Sequence, residues 1–357
     1  MQVILVCIGN FQEYILDNIR NLRLFGNKDI VVITDECFAP RFEGSGARLV
    51  FSSGINDYGF NNRSQLWSNF RNGFLHFCSL RLFLLYAYLE KYDIQNCVHI
   101  ENDTLTYVNF DDISQRFPDE VCVTRNNNMW AIPCIIYIPN YKSFSKLIEN
   151  YNVSENDMVN LGKCNFYNLP IFTDKVITLN VTENFKTFNC VFDPNQVGHY
   201  LGGVDPRNEE GDTRGRVYDT CAIKFNAFEY FWKNIDGLYV PFMRVGDEDI
   251  RIINLHIHCK RLHDFMADGP KETGFIKFEV EPRDKCTVFT SIDNLPKEIS
   301  GDVCLLVGDD MLMDRRMENL KGVFVKYFPN LDKSDPLTTY ASYFSRWHIK
   351  EIGCHDI

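Results

Sequence analysis

Two short clusters in this sequence carry side chains that can hold a cation. The first is Glu101-Asn102-Asp103, which directly follows the apolar run at residues 97–100. Residues one apart in an extended segment point the same way, so Glu101 and Asp103 offer two carboxylates on one side. Such a pair suits Mg²⁺ or Mn²⁺, which take oxygen ligands and tolerate an imidazole. A cation held there acts as a Lewis acid and neutralises the charge of a departing diphosphate. The second cluster, His256-Ile257-His258, follows the apolar run at 250–255 and has the same one-apart spacing. Lys260 and Arg261 come next and suit phosphate charge. A zinc site of His256, His258 and Cys259 is the competing metal reading, but no Cys-X-X-Cys pair supports it.

These clusters need elements that bring them together. Residues 3–8 form a short apolar run closed by Gly9-Asn10, and residues 11–24 space Tyr14, Ile15, Ile19, Leu22 and Leu24 at helical intervals. Residues 30–34 read as a second strand ending on Asp35-Glu36, 49–51 as a short third, and a long helix ends near Tyr92 before the strand at 97–100. Strand and helix in alternation predict an α/β fold with a mostly parallel sheet. In such a sheet ligands bind outside the carboxyl ends of the strands. That puts Gly9-Asn10, Asp35 and the acidic triplet on one edge. Further on, 135–138 reads as a strand, 141–151 as a helix, and Asn156-Asp157-Met158 opens another helical stretch. Residues 192–216, rich in Gly, Asp, Asn and Pro, read as one long loop, and 250–255 as a single late strand. From about 275 the strand-like runs 287–289, 303–307 and 323–327 suggest a second, small α/β unit (275–357) after a larger domain (1–270). That unit resembles the opening of a further α/β domain, and Gly308-Asp309-Asp310, at one of its strand ends, reads as an exposed turn in preference to another nucleotide site.

Composition narrows the function classes. The 357 residues carry a formal charge of -11 and no dense Lys/Arg run, which argues against nucleic acid as a partner. The N-terminal apolar run is too short for a signal peptide, and the stretch at 80–89 is interrupted by Arg81 and too short for a bilayer span. The expectation is a cytoplasmic chain without a transmembrane segment (host cytoplasm for a viral one). The 13 cysteines are odd in number and irregularly spaced, and several, such as Cys7, Cys97, Cys122 and Cys304, lie in apolar runs. They read as reduced, buried small hydrophobes.

The run Val98-His99-Ile100-Glu101-Asn102-Asp103-Thr104-Leu105-Thr106-Tyr107 resembles the acid-X-acid region of GT-A glycosyltransferases. The likeness is to an uncharacterised group of bacterial and large-virus proteins. It continues in order through Arg81-Leu82-Phe83, Asn156-Asp157-Met158, Tyr200-Leu201-Gly202-Gly203-Val204-Asp205-Pro206-Arg207-Asn208 and Asn254-Leu255-His256-Ile257-His258-Cys259-Lys260. It covers roughly residues 1–266. The triplet alone is unspecific; the ordered set is specific.

The resemblance implies a GT-A fold and a metal-dependent transfer of sugar from a nucleotide sugar, UDP-linked in preference to GDP-linked, to a glycan or other hydroxyl acceptor. It implies Mn²⁺ or Mg²⁺ on Asp103, with Glu101 in direct or water-mediated contact, Asn102 beside the nucleotide, and His256, or else His258, completing the site. Arg81 and Lys260 would reach the diphosphate or donor sugar, Cys7, Ile8, Gly9 and Asn10 would line the nucleoside pocket, and Asp35 would lie near base or ribose. Starting with Glu, the triplet departs from the commoner Asp-X-Asp. Gly202 and Gly203 permit close backbone approach, so their loop is expected to line the donor-sugar and acceptor site. An inverting reaction needs a base, with Asp205 and Asp193 the candidates and Asp219 a weaker one; a retaining reaction needs none there. Two other classes compete. A sugar-nucleotide or glycan-binding module would lack turnover, and the intact Glu101, Asp103 and His256 set argues against it. A sugar-phosphate nucleotidyltransferase would carry a Gly-rich, basic loop after the first strand, where this chain has Gly9-Asn10-Phe11-Gln12-Glu13.

Overall fold

Continuous runs of Val and Ile near the N-terminus form strands buried on both faces, the pattern of a parallel sheet covered by helices. The computed structural model describes residues 1–66, 70–125, 130–174, 184–203, 205, 228–271, 286–298, 302–307, 323–327 and 352–354. Within them the chain runs β1 (Gln2–Cys7), α1 (Ile15–Leu24), β2 (Ile30–Thr34), β3 (Arg48–Phe51), α2 (Phe60–Arg63), α3 (Phe74–Tyr92), β4 (Gln95–Ile100) and β5 (Thr104–Thr106). It continues through α4 (Phe110–Ile113), β6 (Cys122–Arg125), β7 (Ala131–Asn140), α5 (Tyr141–Glu149), α6 (Asp157–Lys163), β8 (Tyr167–Asn168), α7 (Phe185–Phe188) and α8 (Gln196–Gly202). Next come β9 (Glu229–Ile235), β10 (Leu238–Val245), β11 (Glu248–Arg251) and β12 (Asn254–His256). The remaining strands are β13 (Cys286–Phe289), β14 (Asp302–Val307), β15 (Val323–Tyr327) and β16 (Ile352–Cys354).

The fold is α/β, with a seven-stranded, mostly parallel central sheet in the order β3-β2-β1-β4-β7-β6-β8. Only β7 opposes the others, pairing antiparallel with β4 and β6. Alternation along β1 divides the core. Ile4 and Val6 join the cluster of Leu82, Phe83 and Leu85 from α3. Val3 and Leu5 join Ile15, Ile19 and Leu22 from α1. Those three α3 side chains have no exposed surface, and burying each stabilises the fold by roughly 1.5–3 kcal/mol. The parallel register of β1 with β2 and β4 sets their carboxyl ends on one edge, as the sequence predicts.

Several elements differ from expectation. The strand expected at 135–138 is ten residues long, and the helix expected from 11 begins at Ile15. The late strand at 250–255 is two strands in different sheets. β11 closes an antiparallel meander with β9 and β10, and β12 pairs with β5. A shared apolar run hid the break, because Ile252 and Ile253 between them are also buried. The loop expected across 192–216 contains α8, while 204 and 206–216 lie outside the described residues. β13 to β16 form a separate parallel sheet in the order β15-β14-β13-β16. Gly308-Asp309-Asp310 lies outside the described residues. Cys7, Cys97, Cys122, Cys134, Cys164, Cys190 and Cys259 are free and buried, Cys78 is half-buried and Cys37 is exposed. No helix among the described residues is long and apolar enough to cross a membrane.

Candidate metal centre

The acidic triplet is the turn that joins β4 to β5. Its backbone is tied on three sides. The Glu101 N–H donates to the Cys134 carbonyl on β7 (3.1 Å), and the Thr104 N–H closes the turn onto the Glu101 carbonyl (3.1 Å). From α1, Asn18 donates its amide to the carbonyls of Glu101 (3.0 Å) and Asn102 (3.1 Å). One turn on, Asn21 donates to the Thr106 carbonyl (2.7 Å). Both asparagines are fully buried, so the helix face that should be apolar carries two amides fixing this turn. Within this turn the Asn102 side chain is directed at β1 and the loop after it. It donates to the Val6 carbonyl (2.7 Å) and to Gln12 Oε1 (2.5 Å), so it braces the β1 loop rather than facing a nucleotide.

β12 runs antiparallel to β5, with His256 opposite Thr104, and the Ile257 N–H donates to the Asp103 carbonyl (2.8 Å). This ladder brings the two sequence clusters together. His256 Nε2 lies 3.3 Å from Asp103 Oδ1 and 3.5 Å from Glu101 Oε2. Its Nδ1 faces the Pro194 carbonyl at 2.7 Å. A carbonyl only accepts, so Nδ1 carries a proton, and the remaining Nε2 is directed at two carboxylates. A lone pair there is repelled by both unless a proton or a cation lies between. Glu101 Oε2 is buried and has no hydrogen-bond partner among the described residues. One ligand atom from each of Glu101, Asp103 and His256 lies within 4.8 Å of the others. One oriented imidazole and two carboxylate oxygens, of which Glu101 Oε2 is the orphaned one, fit Mn²⁺ or Mg²⁺.

Electrostatics agree with the geometry. Burial pushes Asp103 up, but Lys260 and His256 outweigh it and hold the carboxyl well below its usual range. Burial pushes His256 down, but Asp103, with Cys134 and Glu101, holds it well above the ordinary histidine value. Three buried or nearly buried carboxylates meet two fixed cations here. Arg81 bridges Glu101 (2.5 Å) and Asp157 (2.6 Å), and Lys260 pairs with Asp103. A proton on His256, which Asp103 favours, would balance the remaining negative charge. Replacing that proton by a divalent ion leaves the cluster positive, the sign that attracts a diphosphate. Arg81, expected to reach such a ligand, is held within the cluster, and Lys260 rests on Asp103.

The His258 ring packs between those of His256 and His199, with centroids 4.1 and 3.7 Å away and the planes tilted by 39° and 42°. It lies outside the three-residue ligand cluster among the described residues. Burial and the neighbouring His199 and His256 hold it well below the ordinary value.

The Asp193 carboxylate accepts from the N–H groups of Val197 (2.9 Å), Gly198 (2.8 Å) and His256 (3.1 Å), and its residue is 1% exposed. Asp193, one of the two expected bases, is therefore a cap that ties the start of α8 to β12, with both oxygens accepting from backbone N–H groups. Gly198 shows how close that contact is. A Cβ on it would lie 1.9 Å from the His256 carbonyl oxygen. Sequence reading passed over Gly198, whose only signal is a glycine inside the block leading to Gly202-Gly203. Gly202 packs against Cys259 and Phe265, and Gly203 ends α8 with φ +88°. Both glycines thus shape the end of a helix rather than a loop. Asp205 is buried and pairs with Arg71 at 3.2 Å. Asp219 and the rest of the Val204 to Asn208 block lie outside the described residues.

At the expected nucleoside end, the Cys7 and Ile8 side chains are buried in the core, leaving only their backbone to a ligand. Gly9 has φ +71°, and a Cβ there would meet the Phe77 ring at 2.4 Å. Its N–H donates to Asp35 Oδ2 (2.7 Å), while Ser52 donates to Asp35 Oδ1 (2.5 Å). Asp35 thus joins the ends of β1, β2 and β3, and Asn10 is exposed beside them.

No protein-family model matches the chain, and no curated protein does. Among solved structures, the galactosyltransferase LgtC with donor and acceptor sugar analogues overlaps 45% of this chain and 68% of its own length, at 12% identity and a TM-score of 0.30. Mouse xyloside xylosyltransferase 1 overlaps 41% of this chain and 71% of its own, at 9% identity and 0.30. A cytidylyltransferase from Leptospira borgpetersenii overlaps 42% and 64%, at 13% identity and 0.28. At TM-scores near 0.3 such partial overlaps carry no information about activity.

Proposed function

We propose that this chain is a divalent-metal-dependent glycosyltransferase of the GT-A type, moving a sugar from a nucleoside-diphosphate sugar to a hydroxyl acceptor such as a glycan. The observation that carries the reading is the His256 ring. With Nδ1 committed to the Pro194 carbonyl, its other nitrogen converges with Glu101 and Asp103 at the carboxyl edge of the sheet. Glu101, Asp103 and His256 would hold Mn²⁺ or Mg²⁺, which supplies Lewis-acid neutralisation of the leaving diphosphate.

The chain's own groups do the rest. Lys260 lies against Asp103, and on loading it is freed to meet a phosphate oxygen at the same place. Asp35 and the Gly9 backbone form the nucleoside end, where we favour uridine over guanosine. Asp205, buried and paired with Arg71, takes the acceptor-side role if the reaction inverts, because both Asp193 oxygens already accept from backbone N–H groups. The test is thermal unfolding with UDP or GDP, each with and without Mn²⁺, since binding to the native state alone raises apparent stability. UDP should stabilise the protein only when Mn²⁺ is present, and Asp103→Asn should remove the effect. Equal stabilisation by UDP with and without the metal would reject metal dependence. Stabilisation by GDP and none by UDP would reverse the nucleotide assignment.

A further inference from the structure

Asp157 begins α6, just after its capping residue Asn156, and its side chain is 5% exposed. Its carboxylate accepts from one arm of the Arg81 guanidinium at 2.6 Å, while the other arm meets Glu101 Oε1 at 2.5 Å. The Arg81 side chain, 11% exposed, comes from α3, so three elements meet through one planar group. The fork geometry matters. A guanidinium can engage both oxygens of a single carboxylate. Here it is divided between two, and Glu101 keeps Oε2 without a hydrogen-bond partner among the described residues, 3.5 Å from His256 Nε2. That orphaned oxygen is the one turned toward the histidine.

We infer that Asp157 is a positioning residue for the metal: it draws Arg81 away from full pairing with Glu101 and so keeps Glu101 Oε2 directed at the cation. This rests on the metal reading above and adds a residue that does not itself touch the ion. Without the Asp157 charge, Arg81 is free to chelate Glu101 through both oxygens, and its positive charge is no longer shared with a second carboxylate. Both changes oppose cation binding. Glutamate at 157 keeps the charge and can hold the guanidinium, so it restores the arrangement in part.

The experiment measures Mn²⁺ affinity by electron paramagnetic resonance of the free ion, on the whole chain without nucleotide, with thermal unfolding to verify folding. Wild type and Asp103→Asn are the controls. Asp157→Asn should weaken Mn²⁺ binding roughly 10- to 100-fold, the range typical of partners that orient a metal ligand, with Asp157→Glu falling between it and wild type. Arg81→Lys keeps a charge but cannot span two carboxylates, and should weaken binding too; it also serves if Asp157→Asn does not fold. In an Arg81→Gln background, Asp157→Asn should have little further effect, since its partner is already gone. If wild type binds Mn²⁺, Asp103→Asn does not, and folded Asp157→Asn or Arg81→Lys matches wild type, the positioning role is refuted and the metal site stands. If wild type and Asp103→Asn are equally inert, the metal reading fails and this inference falls with it.

Discussion

Replacing Gly198 by alanine tests whether the position of His256 depends on the close contact of α8 with β12. Two effects oppose each other. Alanine is better than glycine in a helix interior by about 0.8–1 kcal/mol, so an unconstrained site would gain stability. Against this, the new Cβ would lie 1.9 Å from the His256 carbonyl oxygen, 2.6 Å from its carbon and 3.1 Å from its nitrogen. All three are backbone atoms of a paired strand, so no side-chain rotation relieves the clash. Overpacking of this kind costs typically about 1–3 kcal/mol, and contact with fixed backbone places it toward the upper end. The net expectation is a loss of about 2 kcal/mol, or about 4–8 °C in Tm for a cooperative unit of 150–250 residues. Because α8 can only retreat by pulling against the three N–H groups on Asp193, His256 should shift and Mn²⁺ affinity should fall as well. Thermal unfolding and a Mn²⁺ titration read the two effects. A folded Gly198→Ala protein with unchanged or higher Tm and unchanged Mn²⁺ affinity would refute the reasoning.

Three further outcomes are expected. Mn²⁺ affinity should still be rising with pH through neutrality, by up to about one decade per pH unit, because Asp103 and Glu101 hold the His256 proton well above its ordinary range against burial; a plateau already reached at pH 6 would contradict this. In the metal-free protein the sign is opposite, since the raised folded value makes the His256 contribution to stability full below about 6.5, the unfolded value, and lost as pH rises through the folded one. Asn18→Ala should lower stability by about 1–3 kcal/mol, because the buried Glu101 and Asn102 carbonyls lose the amide that holds them; an unfolding free energy within 0.5 kcal/mol of wild type, as is usual for inconsequential substitutions, would show that the turn holds itself. A chain ending at residue 270 should fold and bind nucleotide, because each site residue named above precedes Lys271; a folded chain of that length that fails to bind would assign part of the site to the later strands.

The parts of the fold legible in the sequence are those where apolar run and element coincide. β1, β2, β4 and α3 are continuous apolar stretches closed by Gly, Asp or a charged residue, and they appear where expected. The one-apart spacing was legible as well, but the structure sets Glu101 and Asp103 together in a turn rather than by strand alternation, and of the two histidines only His256 joins the ligand cluster among the described residues. Direction was not legible: nothing in 131–140 distinguishes an antiparallel strand from a parallel one. Nor was partner choice, so β11 and β12 read as a single strand. α8 was hidden because Pro194, Gly198, Gly202 and Gly203 look like loop residues, whereas two of these glycines are required by close packing and one by its positive φ. Asp193 shows the general limit. Its carboxylate looks like a base in the sequence, and only the three N–H groups around it identify a cap.

The β5–β12 ladder also fixes when the site can exist. Asp103 and Lys260 are separated by 157 residues, and His256 joins them only through that ladder. During synthesis at about 5–20 residues per second, roughly 8–30 s pass between the emergence of the triplet and that of its partners. In that interval the carboxylates of the triplet have Arg81 for company and no oriented imidazole. Long-range closure of this kind is also slow in refolding. If the cluster takes the divalent ion proposed above, its capture by a nascent or refolding chain would report that these two distant segments have met.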